Sequence, residues 1–186
     1  SVKVRKVETN ADLKKFIRLP WKIYQGDKNW VPPLIFDMKR RLDPKQNPYF
    51  EHARAQYFLA EKNGEVVGRI TAQVDDHYYQ HWGEKVGQWG FFESIDDQEV
   101  ANALFDSARS WLKEQGQVKM QGPFNFTIND ECGLLIDGFD SPPMVLMTYN
   151  PAYYQKLCEG YGMRKAMDLL AYKATADTEP DPAIVN

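Results

Sequence analysis

Asn125, Asn129, Asp130 and Glu131 crowd amides and carboxylates into one short stretch flanked by Phe124, Phe126, Leu134 and Leu135. Apolar walls with a few convergent polar groups describe a ligand pocket, which makes Asn125, Asn129 and Glu131 candidate substrate-binding residues. The same residue types also build loops whose Asn and Asp side chains satisfy their own backbone, and both readings stand at this point. Cys132 as a nucleophile would need a nearby base, and none of the three histidines is close to it in sequence. His77 and His81 lie four apart beside Asp75 and Asp76, a spacing that ligates metal only on a helix. YYQHWGE reads as a loop, so no metal site is expected. Lys39-Arg40-Arg41 reads as a solvated helix face, too small a cluster to specify anionic headgroups.

The elements that must position these groups follow from composition and pattern. A chain of 186 residues with 43% hydrophobic and 13% aromatic residues is globular, and its length suits one domain over 1 to 174. TADTEPDPAIVN, from 175 to 186, reads as a tail or linker. A net charge of −3 is a poor match for nucleic acid, which calls for a basic stripe. No apolar run is long enough for a membrane span and no signal-peptide pattern opens the chain. Cys132 and Cys158 give no disulfide framework. A cytoplasmic protein, or one peripheral to a membrane, is expected.

VKVRKVET alternates as a first strand. Thr9 and Asp12 form a capping box that opens a helix with Leu13, Phe16 and Ile17 on its apolar stripe, and Pro20 should break or kink it. The aromatic and proline-rich stretch that follows reads as a short helix, a loop and another short helix near Phe36 to Arg41. Asn63-Gly64 between two β-rich runs is a tight hairpin turn. KVGQWGFFES returns as a further strand, and Asp96 or Asp97 caps a helix whose buried face is Val100, Leu104, Ala108, Trp111 and Leu112. Gly116 ends that helix. VKMQGPFN is a strand, Asn150-Pro151 starts the last helix, and MRKAMDLLAYKA, over 163 to 174, is the last strand.

Strand, helix, strand, helix, strand from 85 onwards, with NPAYYQKLCEGYGM before the final strand, resembles the GNAT acyltransferase superfamily. More narrowly, GFFE, GPFNFTINDECGLLIDGFDSPP and MRKAMDLLAY resemble its bacterial ceramide-synthase-like branch, and this chain resembles the first, N-terminal half of such proteins. The resemblance implies an α/β (α+β) fold with a mixed, mainly antiparallel sheet, helices on both faces and a splay between strands 4 and 5. It implies N-acyl transfer from an acyl thioester to an amine of a small-molecule or lipid-like acceptor, with acyl-CoA as co-substrate. Acyl transfer to an amine needs a base and an acid. By position in the family these are Glu93, at the end of the fourth strand, and Tyr154, on the last helix. A second GNAT-like half or a homodimer is the partner implied.

The family binds the coenzyme A pyrophosphate on a glycine-rich loop at a helix N-terminus. This sequence has Glu93-Ser94-Ile95-Asp96-Asp97-Gln98-Glu99 there, with no glycine and four carboxylates. Such acids cap the helix and complement its dipole, and they repel phosphate. No tightly bound cofactor is expected, and a non-catalytic GNAT-like binding or scaffolding domain is the alternative function.

Overall fold

The computed structural model of the chain describes residues 1–172 and 175. The expected linker over 175–186 lies, apart from Thr175, outside the described residues. Val2–Lys6 (β1), Ala53–Lys62 (β2), Glu65–Asp75 (β3), Val86–Ser94 (β4) and Lys119–Gln121 (β5) lie side by side in chain order. β1 to β4 are antiparallel, and β5 joins β4 in parallel with Val86 opposite Lys119. The helices are Asn10–Ile23 (α1), Ile35–Leu42 (α2), Asp76–Trp82 (α3), Gln98–Glu114 (α4) and Tyr153–Gly160 (α5). α4 is the crossover that makes β4 and β5 parallel. This is the mixed, mainly antiparallel α/β arrangement expected. No helix among the described residues is long and apolar enough to cross a membrane.

Alternation along β2 and β3 divides the core between two faces. On one, α4 buries Val100, Leu104, Phe105 and Leu112 against Phe58, Ile70, Val74, Trp89 and Phe92, and α5 adds Tyr154 and Leu157. On the other, α1 and α2 bury Phe16, Ile17, Met38 and Leu42 against Leu59, Phe91 and Phe126. Local signals behave as expected where chemistry forces them. Thr9 and Asp12 form the capping box. Asn63 and Gly64 both take positive φ, at 54° and 81°, as the tight hairpin requires.

Four expectations need correction. α1 runs through Pro20 to Ile23. Pro20 removes one intrahelical donor, and the carbonyl it would have served, on Phe16, takes a bond from Arg69 Nη1 at 2.6 Å. Residues 76–82 form a helix, not a loop, because it is capped at both ends. The Asp75 side chain accepts from His77 N–H at 2.9 Å, and Gly83 takes a left-handed φ of 68°. α3 buries none of its own residues, so periodicity could not announce it. α5 starts at Tyr153, because the Asn150 amide is used to pair with the backbone of Leu135. Of the strand expected over 163–174, residues 163–172 form none: β5 is short, and the segment finds no sheet neighbour among the described residues, while 173 and 174 lie outside them. Met167, Leu169, Leu170 and Tyr172 stay largely exposed there.

β4 and β5 pair only from Val86 to Gln88 and then separate. A β-bulge in β4 between the partners of Arg69 and Thr71 places Phe91 at φ +46°. Beyond it the chain after β5 crosses β4 closely. Phe124 N–H donates to the Trp89 carbonyl at 2.8 Å, and a side chain at Gly90 would run into the Phe124 carbonyl oxygen at 1.7 Å. That neighbour is backbone and cannot swing aside. Gly90→Ala should therefore destabilise the protein by about 2 kcal/mol or more, read by urea unfolding. Stability within about 0.5 kcal/mol of wild type would show that the crossing is looser than described.

Candidate functional site

The bulge and the splay open a cavity of about 170 Å³ between α1, α2, the end of β4 and the start of α5. Glu93, Arg69, Tyr24, Tyr154, Arg41, Asn125 and Glu131 all line it. Phe91, Phe92, Leu134, Pro20 and Met38 supply apolar wall, and Val31 and Met147 stand at its exposed rim.

Glu93 is the polar centre, with its side chain 13% exposed. Tyr154 Oη donates to Glu93 Oε2 at 2.6 Å and accepts from Ser94 N–H at 2.9 Å. Tyr24 Oη reaches Glu93 Oε1 and the Tyr149 carbonyl, each at 3.3 Å. Arg69 Nη2 stands 3.9 Å from Glu93 Oε1. Burial pushes the Glu93 carboxyl above the usual carboxylate range, while Arg69, Tyr154 and Tyr24 pull the other way and only partly offset it. Burial, with the Glu93 charge adding to it, holds Tyr154 well above an ordinary phenol. Tyr24 moves up for the same two reasons. Burial lowers Arg69, but an arginine so placed stays charged.

Arg69 is itself fixed on three sides. Its Nε donates to the Phe91 carbonyl at 3.0 Å, its Nη1 to that of Phe16, and its guanidinium lies 4.8 Å over the Phe16 ring. On the far wall Arg41 forks onto Glu131, at 2.9 and 3.4 Å, and also donates to the Asn125 carbonyl at 3.0 Å. Burial pushes Glu131 up, but Arg41 outweighs it and keeps the carboxyl below its usual range. The side-chain oxygen of Asn125 accepts from Phe91 N–H at 2.8 Å, so the amide spans the gap where β4 and β5 part.

The sequence candidates thus divide. Glu93 and Tyr154 are in direct hydrogen bond, and Asn125 and Glu131 share their cavity. Asn129 is exposed on a turn with its N–H on Thr127 Oγ1, away from the lining. Cys132 is a free, partly buried thiol that burial raises. Lys39 and Arg40 are solvated as expected, but Arg41 turns inward, which corrects the reading of that run as a uniform solvent face. Sequence reading missed Tyr24, Arg69 and Asn150. The available signal was Arg69-Thr71-Gln73, a polar alternation in β3 that faces a covering helix instead of water.

The segment after Glu93 is occupied by its own acids. Asp97 caps α4 through Glu99 N–H at 2.9 Å, and Lys62 bridges Asp97 and Glu99 at 2.6 and 3.1 Å. Ile95 N–H is taken by the Val67 carbonyl. Gln98 Nε2 donates to the Leu157 carbonyl at 2.9 Å, which closes the start of α4 onto α5.

No protein-family model matches the chain. It is 47% identical over 169 residues to a bacterial ceramide synthase from Caulobacter vibrioides, covering 90% of this chain and 44% of that protein. It is 43% identical over 169 residues to protein YghO of Escherichia coli, covering 91% and 43%. The chain therefore spans less than half the length of the curated relatives it matches. Among solved structures, a tandem GNAT protein from the clavulanic acid biosynthesis pathway superposes with a TM-score of 0.56 at 13% identity, over 87% of this chain and 43% of that one. AAC(6')-Iy in complex with a bisubstrate analogue built on coenzyme A superposes with a TM-score of 0.54 at 14% identity, over 95% and 99%. The sheet order, the parallel β4–β5 pair that then parts, and these structural likenesses show the fold of the GNAT acetyltransferases, and over nine tenths of its length the chain is similar to less than half of a bacterial ceramide synthase.

Proposed function

We propose that the chain carries an acyl-transfer site that moves an acyl group from a thioester to an amine of a lipid-like acceptor, with Glu93 as base. The observation that carries this reading is a nearly buried carboxylate at the base of an apolar-walled cavity, held by two phenols and an arginine. A carboxyl pushed up by burial suits a group that must take a proton from an ammonium near neutral pH. Glu93 takes that proton, and the free amine attacks the thioester carbonyl. The C–S bond then breaks and the thiolate takes a proton from Tyr154. Glu93 returns the first proton to Tyr154 along their 2.6 Å hydrogen bond, and its freed carboxylate takes the second proton from the nitrogen as the amide forms and releases it to solvent. A raised phenol is a reluctant acid, and a protonated Glu93 in direct contact offsets that reluctance.

A cavity of about 170 Å³ holds the reacting head of a lipid rather than its whole length. Val31, Met144, Val145 and Met147, all exposed at or near the rim, offer apolar surface for the aliphatic remainder. The likeness to a bacterial ceramide synthase supports a long-chain amine such as a sphingoid base as acceptor, and acyl-CoA as co-substrate. A second GNAT-like half in the longer relatives is the natural partner, and the exposed apolar segment over 167–172 is the surface it would cover.

One observation favours a non-catalytic binding half instead: the start of α4, where a pyrophosphate would sit, is acidic, capped and closed onto α5. Calorimetry separates the two readings. Long-chain acyl-CoA should bind through the cavity, and free coenzyme A weakly or not at all, because Asp96, Asp97 and Glu99 repel its phosphates. Absence of binding by both, and of acyl transfer to a sphingoid amine, would leave the scaffolding reading.

Glu93→Gln should lower turnover by about 100- to 10,000-fold while the far-UV circular dichroism stays that of wild type. In wild type the acid limb of the rate profile should lie above the usual carboxylate range, and unchanged turnover in the variant would return Glu93 to a structural role.

The same shift predicts a stability effect. A carboxyl raised in the folded state binds more protons than in the unfolded chain across the window between its two pKa values. Its contribution is therefore complete below the ordinary carboxylate pKa and is lost as pH rises through the folded value. The melting-temperature difference between Glu93→Gln and wild type should move in favour of the variant as pH rises above the ordinary carboxylate range. A constant difference would mean that Glu93 titrates normally.

A further inference from the structure

Six residues along β3 from Arg69, about 20 Å at the rise of a strand, a separate group of side chains converges. β2 and β3 pair Ala53 with Asp75, which brings the preceding His52 to the end of β3 where α3 begins. Asp76 N–H donates to the His52 carbonyl at 2.9 Å and fixes that approach. His52 Nδ1 lies 2.8 Å from Asp75 Oδ1. The His52 and His77 rings stack with centroids 3.8 Å apart and planes 12° from parallel. One potential ligand atom from each of His52, Asp75 and His77 lies within 4.8 Å of the other two.

We infer that His52, Asp75 and His77 form a binding site for a divalent transition-metal ion, with Zn²⁺ the best chemical fit. Two imidazoles and a carboxylate are the donor set that Zn²⁺ and its late first-row neighbours take, at about 2.0–2.2 Å per bond. Donor atoms on one such ion stand about 3 Å apart, close to the spacing of the His52–Asp75 pair, and the exposed His77 ring turns out of its stack on His52 to bring its nitrogen to the same ion. The ion takes the place of the His52–Asp75 hydrogen bond, and the neutral imidazole then carries its proton on Nε2. Three protein ligands leave the remaining position to water, on the side where His77 is exposed.

Two further observations bear on the site. The Tyr49 ring packs edge-on against His52 at 5.5 Å, and Tyr49 is only 6% exposed, yet its hydroxyl makes no hydrogen bond to the protein. A metal-bound water is the kind of group that satisfies such an atom. α3 also buries none of its own residues, and an ion shared by His52 and His77 would tie it to the sheet.

Tag-free protein titrated with Co²⁺ tests the inference, because the bound ion reports its ligands through visible d–d absorption and Zn²⁺ displaces it. Saturation at one ion per chain is expected, with a rise in melting temperature on adding Zn²⁺. His52→Ala and His77→Ala should each weaken binding by at least about tenfold, a scale set by the loss of supporting groups alone. Asp75→Asn should weaken it similarly while its side-chain oxygen still caps α3. His81→Ala, one helical turn away and packed on Trp82, should leave affinity unchanged. Absence of saturable Co²⁺ binding overturns the site, as does equal binding by the His52→Ala/His77→Ala double variant with wild-type circular dichroism.

Discussion

The guanidinium of Arg69 ties α1, β3 and β4 together at one buried point. It faces Glu93 across β3 and β4, holds the carbonyl of the β4 bulge, and takes the Phe16 carbonyl from α1. Pro20 makes the last bond possible, since it withholds the donor that would have served Phe16 within the helix. Proline inside α1 is thus a means of attaching the helix to the sheet through a charged side chain. An ion pair so buried does little for stability in itself. Removing one partner would still cost about 3–5 kcal/mol, because the other charge would be left in a poor solvent. The sheet, the covering helix and the buried carboxylate are consequently one unit.

The bulge turns that unit into a cavity. An unbroken β4–β5 pair would satisfy the Phe91 backbone by ladder bonds and leave no opening. Here the strands part after three paired positions, and two side chains take the ladder's place. Asn125 accepts from the Phe91 N–H and Arg69 donates to its carbonyl. Arg41 then binds the carbonyl of Asn125 and forks onto Glu131, so the far wall is held by a second charged pair. Both arginines lie on aromatic rings, Arg69 over Phe16 and Arg41 over Phe91, which gives each cation an apolar seat without stripping it of partners. The cavity keeps its shape through charge-assisted bonds to backbone, which tolerate little displacement.

What was legible in the sequence divides along physical lines. Strand order, the Asn63-Gly64 turn, the Thr9 capping box and the apolar face of α4 rest on local rules, and the chain follows them. Glu93 and Tyr154 were named by family position, and their mutual hydrogen bond was not readable because 61 residues separate them. Arg69-Thr71-Gln73 misleads in the opposite sense. A polar alternation in a strand signals a wet face, yet all three are buried: the Thr71 hydroxyl donates to Gln73 Oε1, and Gln73 Nε2 donates to the Phe124 carbonyl. Tertiary cover reverses the meaning of the pattern. α3 was misread because a short capped helix that buries nothing leaves no period to detect, and 163–172 because strand-like composition cannot supply a neighbouring strand.

The same accounting bears on where an acyl donor is recognised. In an anion site at a helix start, free backbone N–H groups and the helix dipole act together on a phosphate. At α4 the dipole is already complemented by Asp97 and Glu99, and Lys62 is spent neutralising those two acids instead of meeting a ligand. Gln98 and Gly160 bring α4 and α5 into contact so close that a side chain at Gly160 would meet the Gln98 amide at 2.3 Å. Glu93 and Tyr154 keep their hydrogen bond at the apolar cavity, while the start of α4 is acidic, capped and closed onto α5. Under the acyl-transfer reading, phosphate recognition falls to surfaces other than the start of α4, and the part of the longer relatives beyond this chain is the first place for it.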